Sequence, residues 1–147
     1  MASSGGIDFG TEMARLLPSM LREVARRQKG AVVKGNIPVS NIVVLEILKE
    51  KGLSTMGELA RDLGLTMSAA TSIVDKMILE GLIKRERTPE DRRVVKVSLL
   101  KKGSELVRVI SAEREAMTRD MFKALTNAEK TEYLRLFRKI IDSIRQS

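Results

Sequence analysis

Concentrated positive charge on a short, β-rich stretch is the most legible chemistry in this chain. Arg85, Arg87, Arg92, Arg93 and Lys96 crowd into residues 82–99, within and on either side of a tip formed by Thr88 to Arg93. Guanidinium groups carried on a thin two-stranded element suit the narrow, strongly negative minor groove of duplex DNA. Glu86, Glu90 and Asp91 neutralise part of that charge, and Asp91 is placed either to orient Arg93 or to cap the tip. Just upstream, Thr66, Ser68, Thr71 and Ser72, with Lys76 one turn on, make a small, polar face at the start of a helix. Small hydroxyl residues let a helix N-terminus come close to phosphates, where backbone N–H groups and the helix dipole attract anions. Either pattern alone also describes an ordinary solvated surface. Side by side they describe a helix for the major groove next to an arginine-tipped arm, an arrangement suited to reading duplex DNA.

The elements that must position these residues follow from periodicity and punctuation. Met13, Leu16, Leu17, Met20, Leu21 and Val24 recur at helical spacing over residues 10–29, with a kink at Pro18 or a break there. Gly30 to Gly35 reads as a loop, and Pro38 opens a helix over 39–51 that closes on Lys51-Gly52. Thr55-x-x-Glu58 is a capping box for a short helix ending at Gly64, and Thr66 caps a longer one over 67–80. Ala60 supplies the small residue, and Gly64 the flexible one, that two closely crossing helices require. Ile73, Met77 and Ile78 mark the buried side of the second helix. Residues 82–87 and 94–99 form a hairpin, and a helix follows Lys101-Lys102-Gly103 to about residue 123. A second capping box, Thr126-x-x-Glu129, opens a last helix carrying Tyr133, Leu134, Phe137, Ile140, Ile141 and Ile144. The long end helices cannot bury their apolar stripes on the small middle unit, so they are expected to pack together and against a second copy.

Composition narrows the partners. The 147 residues include 27 Lys and Arg against 19 Asp and Glu, a formal net charge of +8, which suits nucleic acid or an anionic membrane. No apolar run approaches the roughly 18–20 residues that span a bilayer; Ile42 to Leu45, the longest, is cut by Glu46. The four aromatic residues, Phe9, Phe122, Tyr133 and Phe137, all lie outside the basic segment, which favours duplex DNA over RNA or single strands read by stacking. Histidine and cysteine are both absent, which removes the usual general base, the commonest zinc and haem ligands, and any disulfide. With no paired-carboxylate or glycine-rich phosphate motif either, no catalytic residue, metal or cofactor is expected, and the chain does not read as an enzyme. Met1 to Gly6 has neither basic nor apolar character, so residues 1–9 are expected to be a flexible tail rather than a secretory leader, in a cytoplasmic protein.

From Ile37 to about Leu106 the chain resembles the MarR family of winged-helix transcription regulators. The most specific match is Asp91-x-Arg93-x-x-x-Val97-x-Leu99, which follows that family's wing pattern; Ser68-Ala-Ala-Thr-Ser-Ile-Val-Asp-Lys-Met77 follows its recognition helix. The resemblance implies a mainly α (α+β) winged helix-turn-helix lobe over 36–100. Helices in 10–35 and 101–147 would form a dimerisation layer, and the homodimer would bind a pseudo-palindromic operator. It puts Thr66, Ser68, Thr71 and Ser72 on groove-facing positions, Arg93 at the wing tip in the minor groove, and Asp75 where an arginine links the helix to the wing. It also implies a cleft for a small anionic aromatic effector, lined here by Met13, Leu16, Met20 and Ile42; those methionines equally suit core packing. Pro38 and Met67 depart from the family's usual threonine cap and polar recognition-helix residue. An architectural DNA-binding protein with no effector would use the same motifs.

Overall fold

The computed structural model describes residues 8–27 and 36–146. Of the expected tail over residues 1–9, residues 1–7 lie outside the described residues, as do the Gly30 to Gly35 loop and the end of the first helix at 28–29, while Phe9 is already helical. The elements run α1 (Phe9–Arg27), α2 (Val39–Lys51), β1 (Leu53–Thr55), α3 (Met56–Leu63), α4 (Met67–Leu79), β2 (Ile83–Arg87), β3 (Val95–Leu99), α5 (Lys101–Met121) and α6 (Asn127–Gln146). The chain divides into two units, Met1–Ser111 and Ala112–Ser147, and the boundary falls inside α5.

In the first unit, α2, α3 and α4 pack with a three-stranded antiparallel sheet of order β1-β3-β2. The core joins Val44, Leu45 and Leu48 of α2, Leu59 of α3, Val74 and Met77 of α4, and Leu82, Ile83 and Val97 of the hairpin, with Val107 of α5. Ile73 and Ile78 are partly buried against it. Register explains the hairpin's two faces: Ile83 pairs with Leu99, Arg85 with Val97 and Arg87 with Val95. Ile83, Arg85 and Arg87 therefore share the face that begins in the core, while Lys84 and Glu86 face the other way.

Local chemistry sets the helix ends. At α3 the Glu58 amide donates to Thr55 Oγ1 (3.2 Å) and the Thr55 amide donates to Glu58 Oε2 (2.7 Å), which completes the capping box. The same exchange at α6 joins Glu129 N to Thr126 Oγ1 (3.3 Å) and Thr126 N to Glu129 Oε2 (2.7 Å). Gly64 ends α3 in the left-handed region (φ 64°), its amide reaching the Ala60 and Arg61 carbonyls.

The structure departs from the sequence reading at three places. Helix α1 runs unbroken through Pro18, which removes a single i→i−4 bond, so no new helix starts there. Leu53–Thr55 form a strand that periodicity does not reveal; three residues become β-structure only by pairing with β3, Ser54 opposite Val97. Helix α5 begins at Lys101, so Gly103 lies in its first turn rather than before it. A Cβ at Gly103 would sit 2.0 Å from the Leu82 carbonyl oxygen, so the glycine is there for close approach.

In the second unit, the end of α5 turns through Phe122 into α6. The Phe122 and Tyr133 rings meet at 5.1 Å, and the Tyr133 and Phe137 rings stack at 5.7 Å. No residue of α1 or α6 is fully buried. Phe9, Met13, Leu16, Leu17, Met20 and Leu21 on α1, and Tyr133, Leu134, Phe137, Ile140 and Ile144 on α6, remain open.

Gly103→Ala should destabilise the first unit by about 2–3 kcal/mol, because backbone must move to admit the methyl group; chemical denaturation measures it. The Thr55 amide and hydroxyl, bonding the Glu58 carboxylate, hold its pKa below the ordinary 4.5. A depressed carboxylate contributes stability that is complete above its unfolded value and is lost as pH falls through its folded value. Acid titration of stability should therefore show a steeper loss below about pH 4.5 in the wild type than in Glu58→Gln.

Candidate nucleic-acid interface

Thr66 is the N-cap of α4, its Oγ1 accepting from Ala69 N at 3.2 Å. That bond fixes the start of the helix and leaves Met67, Ser68 and Ser72 exposed, with Thr71 half-buried beside them. The inner side of α4, Ala70, Val74 and Met77, is buried. Lys76 is exposed on the outer side, in the last turn. The hydroxyl residues and Lys76 thus share an open surface, with the free N–H groups of the first helical turn at its head.

The hairpin is tied to this helix by charge. Arg85 Nη2 donates to Asp75 Oδ1 at 2.8 Å and lies 3.9 Å from the Met56 sulfur, so one side chain touches α4, β2 and α3. Arg85 reaches α4 because it shares the core-side face of β2 with Ile83, two residues away. Its charge is therefore engaged within the lobe.

The tip is built around Asp91. Its Oδ1 accepts from Arg93 N (2.9 Å), and its carbonyl accepts from Thr88 Oγ1 (2.7 Å) and Val94 N (3.0 Å). The Thr88 amide closes the turn onto the Val94 carbonyl at 3.1 Å. Asp91 thus holds the backbone at Arg93 and leaves the guanidinium free. Among the described residues, the side chains of Arg87, Arg92, Arg93, Lys76 and Lys96 have no protein acceptor. Lys84, by contrast, pairs with Glu86 at 2.6 Å. The exposed end of the hairpin keeps its positive charge, whereas many basic residues of the long helices are tied to carboxylates, as in Arg108 with Glu105 (2.6 Å) and Arg135 with Glu132 (2.6 Å).

The remaining expected site residues lie elsewhere. Ile42 is buried in the lobe, whereas Met13, Leu16 and Met20 are on the open face of α1. Among the described residues, no cluster of His, Cys, Asp and Glu is suited to a metal ion, and no helix is long and apolar enough to cross a membrane. Sequence patterning missed Met56, which underlies the Arg85 guanidinium. Its only signal was its place at the start of α3, next to a capping threonine.

Residues 37–95 match the MarR family profile. The HTH-type transcriptional regulator YsmB of Bacillus subtilis is 34% identical over 113 residues, covering 74% of this chain and 77% of that one. A MarR family protein from Bacillus stearothermophilus superposes with a TM-score of 0.80 at 26% identity, over 97% of this chain and 99% of that one. BpsR of Bordetella bronchiseptica, whose DNA binding is regulated by 6-hydroxynicotinic acid, shares the fold with a TM-score of 0.70 at 24% identity, over 94% and 99% of the two chains. The helix-turn-helix, the arginine-bearing wing and these relatives together place the chain in the MarR family of transcriptional regulators.

Proposed function

We propose that the chain is a homodimeric, cytoplasmic repressor that binds a pseudo-palindromic operator in duplex DNA and is released by a small anionic aromatic ligand. One observation carries the reading: a capped helix with an open hydroxyl face and a wing tip with unpaired arginines stand on one lobe, joined by the Asp75–Arg85 pair. Helix α4 enters the major groove. Thr66, Ser68, Thr71 and Ser72 approach phosphates and base edges, and Lys76 and Arg87 add phosphate contacts. Arg93, with Arg92 beside it, enters the minor groove, while Arg85, Asp75 and Asp91 position the wing. A lobe seated on promoter DNA represses by occupying it.

Dimerisation is supported by the open apolar stripes on α1 and α6, since contiguous exposed apolar surface marks interaction sites. Two lobes held about 34–36 Å apart would meet successive major grooves on one side of the duplex. A ligand seated among Met13, Leu16, Met20 and Ile42, its carboxylate met by a nearby Lys or Arg, would favour a different spacing and so lower DNA affinity. The regulation of BpsR by a small ring acid supports this ligand class.

The test is binding to duplex DNA from upstream of the protein's own gene, against a scrambled duplex, across a salt series. Site-selective binding should weaken steeply with salt. Arg93→Ala should cost about tenfold or more in affinity. Asp75→Asn should also weaken binding while changing stability by no more than about 1 kcal/mol, as befits an exposed pair. Saturable release by small aromatic acids fits a ligand-relieved repressor. Equal binding to both duplexes and indifference to the acids fits an architectural protein without an effector, and no binding to either duplex sinks the reading. Independently, sedimentation should give twice the chain mass for the wild type, and Phe137→Glu should shift it toward monomer.

A further inference from the structure

We infer that α4 reads thymine methyl groups in the major groove, with Met67 and Thr71 as the residues that set sequence preference. The inference rests on the DNA-binding reading above and concerns what that interface recognises.

Bases are distinguished by a few side chains: Arg or Lys bidentate on guanine, Asn or Gln bidentate on adenine, Asp or Glu accepting from cytosine. Helix α4, MSAATSIVDKMIL, contains no Arg, Asn or Gln. Its one lysine, Lys76, lies in the last turn, away from the N-terminal end that approaches base edges. Its one acid, Asp75, is held by Arg85 at 2.8 Å. The Thr66 hydroxyl is engaged by the Ala69 amide. The hydroxyls of Ser68, Thr71 and Ser72 remain, and a hydroxyl donates or accepts and so favours no one base.

What the first two turns do offer is apolar. Met67 is 53% exposed at the first helical position, on a lobe whose core is complete without it. Its methyl group lies 3.9 Å from where a Gly57 side chain would begin, so the thioether rests across the bare backbone of α3 with its outer side open. Thr71, one turn on, is half-buried and carries a second methyl group. In the major groove the distinctive apolar group is the C5-methyl of thymine. A soft, unbranched thioether and a threonine methyl at the head of the helix are matched to it.

Deoxyuridine lacks only that methyl and keeps thymidine's hydrogen-bonding edge. The experiment selects sites from a randomised duplex pool with the wild-type protein, then resynthesises the selected duplex with deoxyuridine at each thymidine in turn. Selected half-sites should carry thymines at fixed positions, and uracil there should weaken binding roughly fourfold per contacted methyl. Met67→Ala should bind thymine and uracil duplexes equally at one of those positions, and Thr71→Ser, which keeps the hydroxyl, at another. Unchanged circular dichroism checks that each variant is folded. Selection of a site at which uracil and thymine bind alike, or an unaltered ratio in both variants, overturns the inference. A pool from which nothing is selected overturns the DNA-binding reading itself.

Discussion

The peptide groups of Leu82 are the joint on which the lobe depends. The Leu82 amide donates to the Met77 carbonyl at 3.0 Å, closing the end of α4. Its carbonyl accepts from the Leu100 amide at 3.0 Å, where the hairpin returns, and it is the atom against which Gly103 packs. Lys102 Nζ adds a bond to the Glu80 carbonyl at 2.8 Å. Recognition helix, wing root and the start of α5 are thereby fixed to one backbone position, and the side chains of Leu82 and Ile83 continue the joint into the core. A helix and a wing addressing two grooves of one duplex must hold a constant separation, and only a rigid connection of this kind provides it.

Charge is distributed on the same plan. Along the hairpin, the basic residues toward the root, Lys84 and Arg85, are paired and those toward the tip are not. Arg85 is tied to Asp75, while Arg87, Arg92 and Arg93 stand at the end of the hairpin without partners among the described residues. Pairing Arg85 adds little stability in itself, since exposed ion pairs seldom contribute more than about 1 kcal/mol. What it contributes is direction, because it fixes the face of β2 to α4 and so aims Arg87 and the tip beyond it. Asp91 does the same one level out, holding the backbone amide of Arg93 rather than its guanidinium, so the tip is ordered without being neutralised.

How much of this was legible in the sequence depended on how far each cause reached along the chain. The capping boxes at Thr55 and Thr126 act over three residues, and the structure forms both. The hairpin alternation acts over two and was equally plain. The strand Leu53–Thr55 exists only because β3 pairs with it, 45 residues away by its register of Leu53 with Ser98, so nothing local announced it. Gly103 reads as preceding the helix because glycine is a poor helix former. Its actual cause, the Leu82 carbonyl, is remote in sequence. The link from Asp75 to Arg85 came into view only through the family resemblance, since no spacing rule relates a helix residue to one on the following strand. The expected effector cleft has the same difficulty on a larger scale, because its α1 residues lie on a face whose cover the single chain does not supply.

That open face bears on how a helix so poor in bidentate readers can select a site. The methyl contacts and single hydroxyls proposed for α4 would give each half-site modest affinity and modest discrimination. Joining two lobes makes the second binding event intramolecular, so the small preferences of both half-sites are expressed together. The apolar stripes of α1 and α6, not needed to complete the lobe's core, supply that connection in the proposed dimer. In the proposed dimer, affinity would depend on the distance between lobes as much as on any contact, and a ligand acting on the dimer layer would alter DNA binding without touching a residue of α4 or the wing. Weak individual contacts are an advantage in such a regulator. Two lobes that each bound tightly would stay on the DNA one at a time, and a change of spacing would not release them.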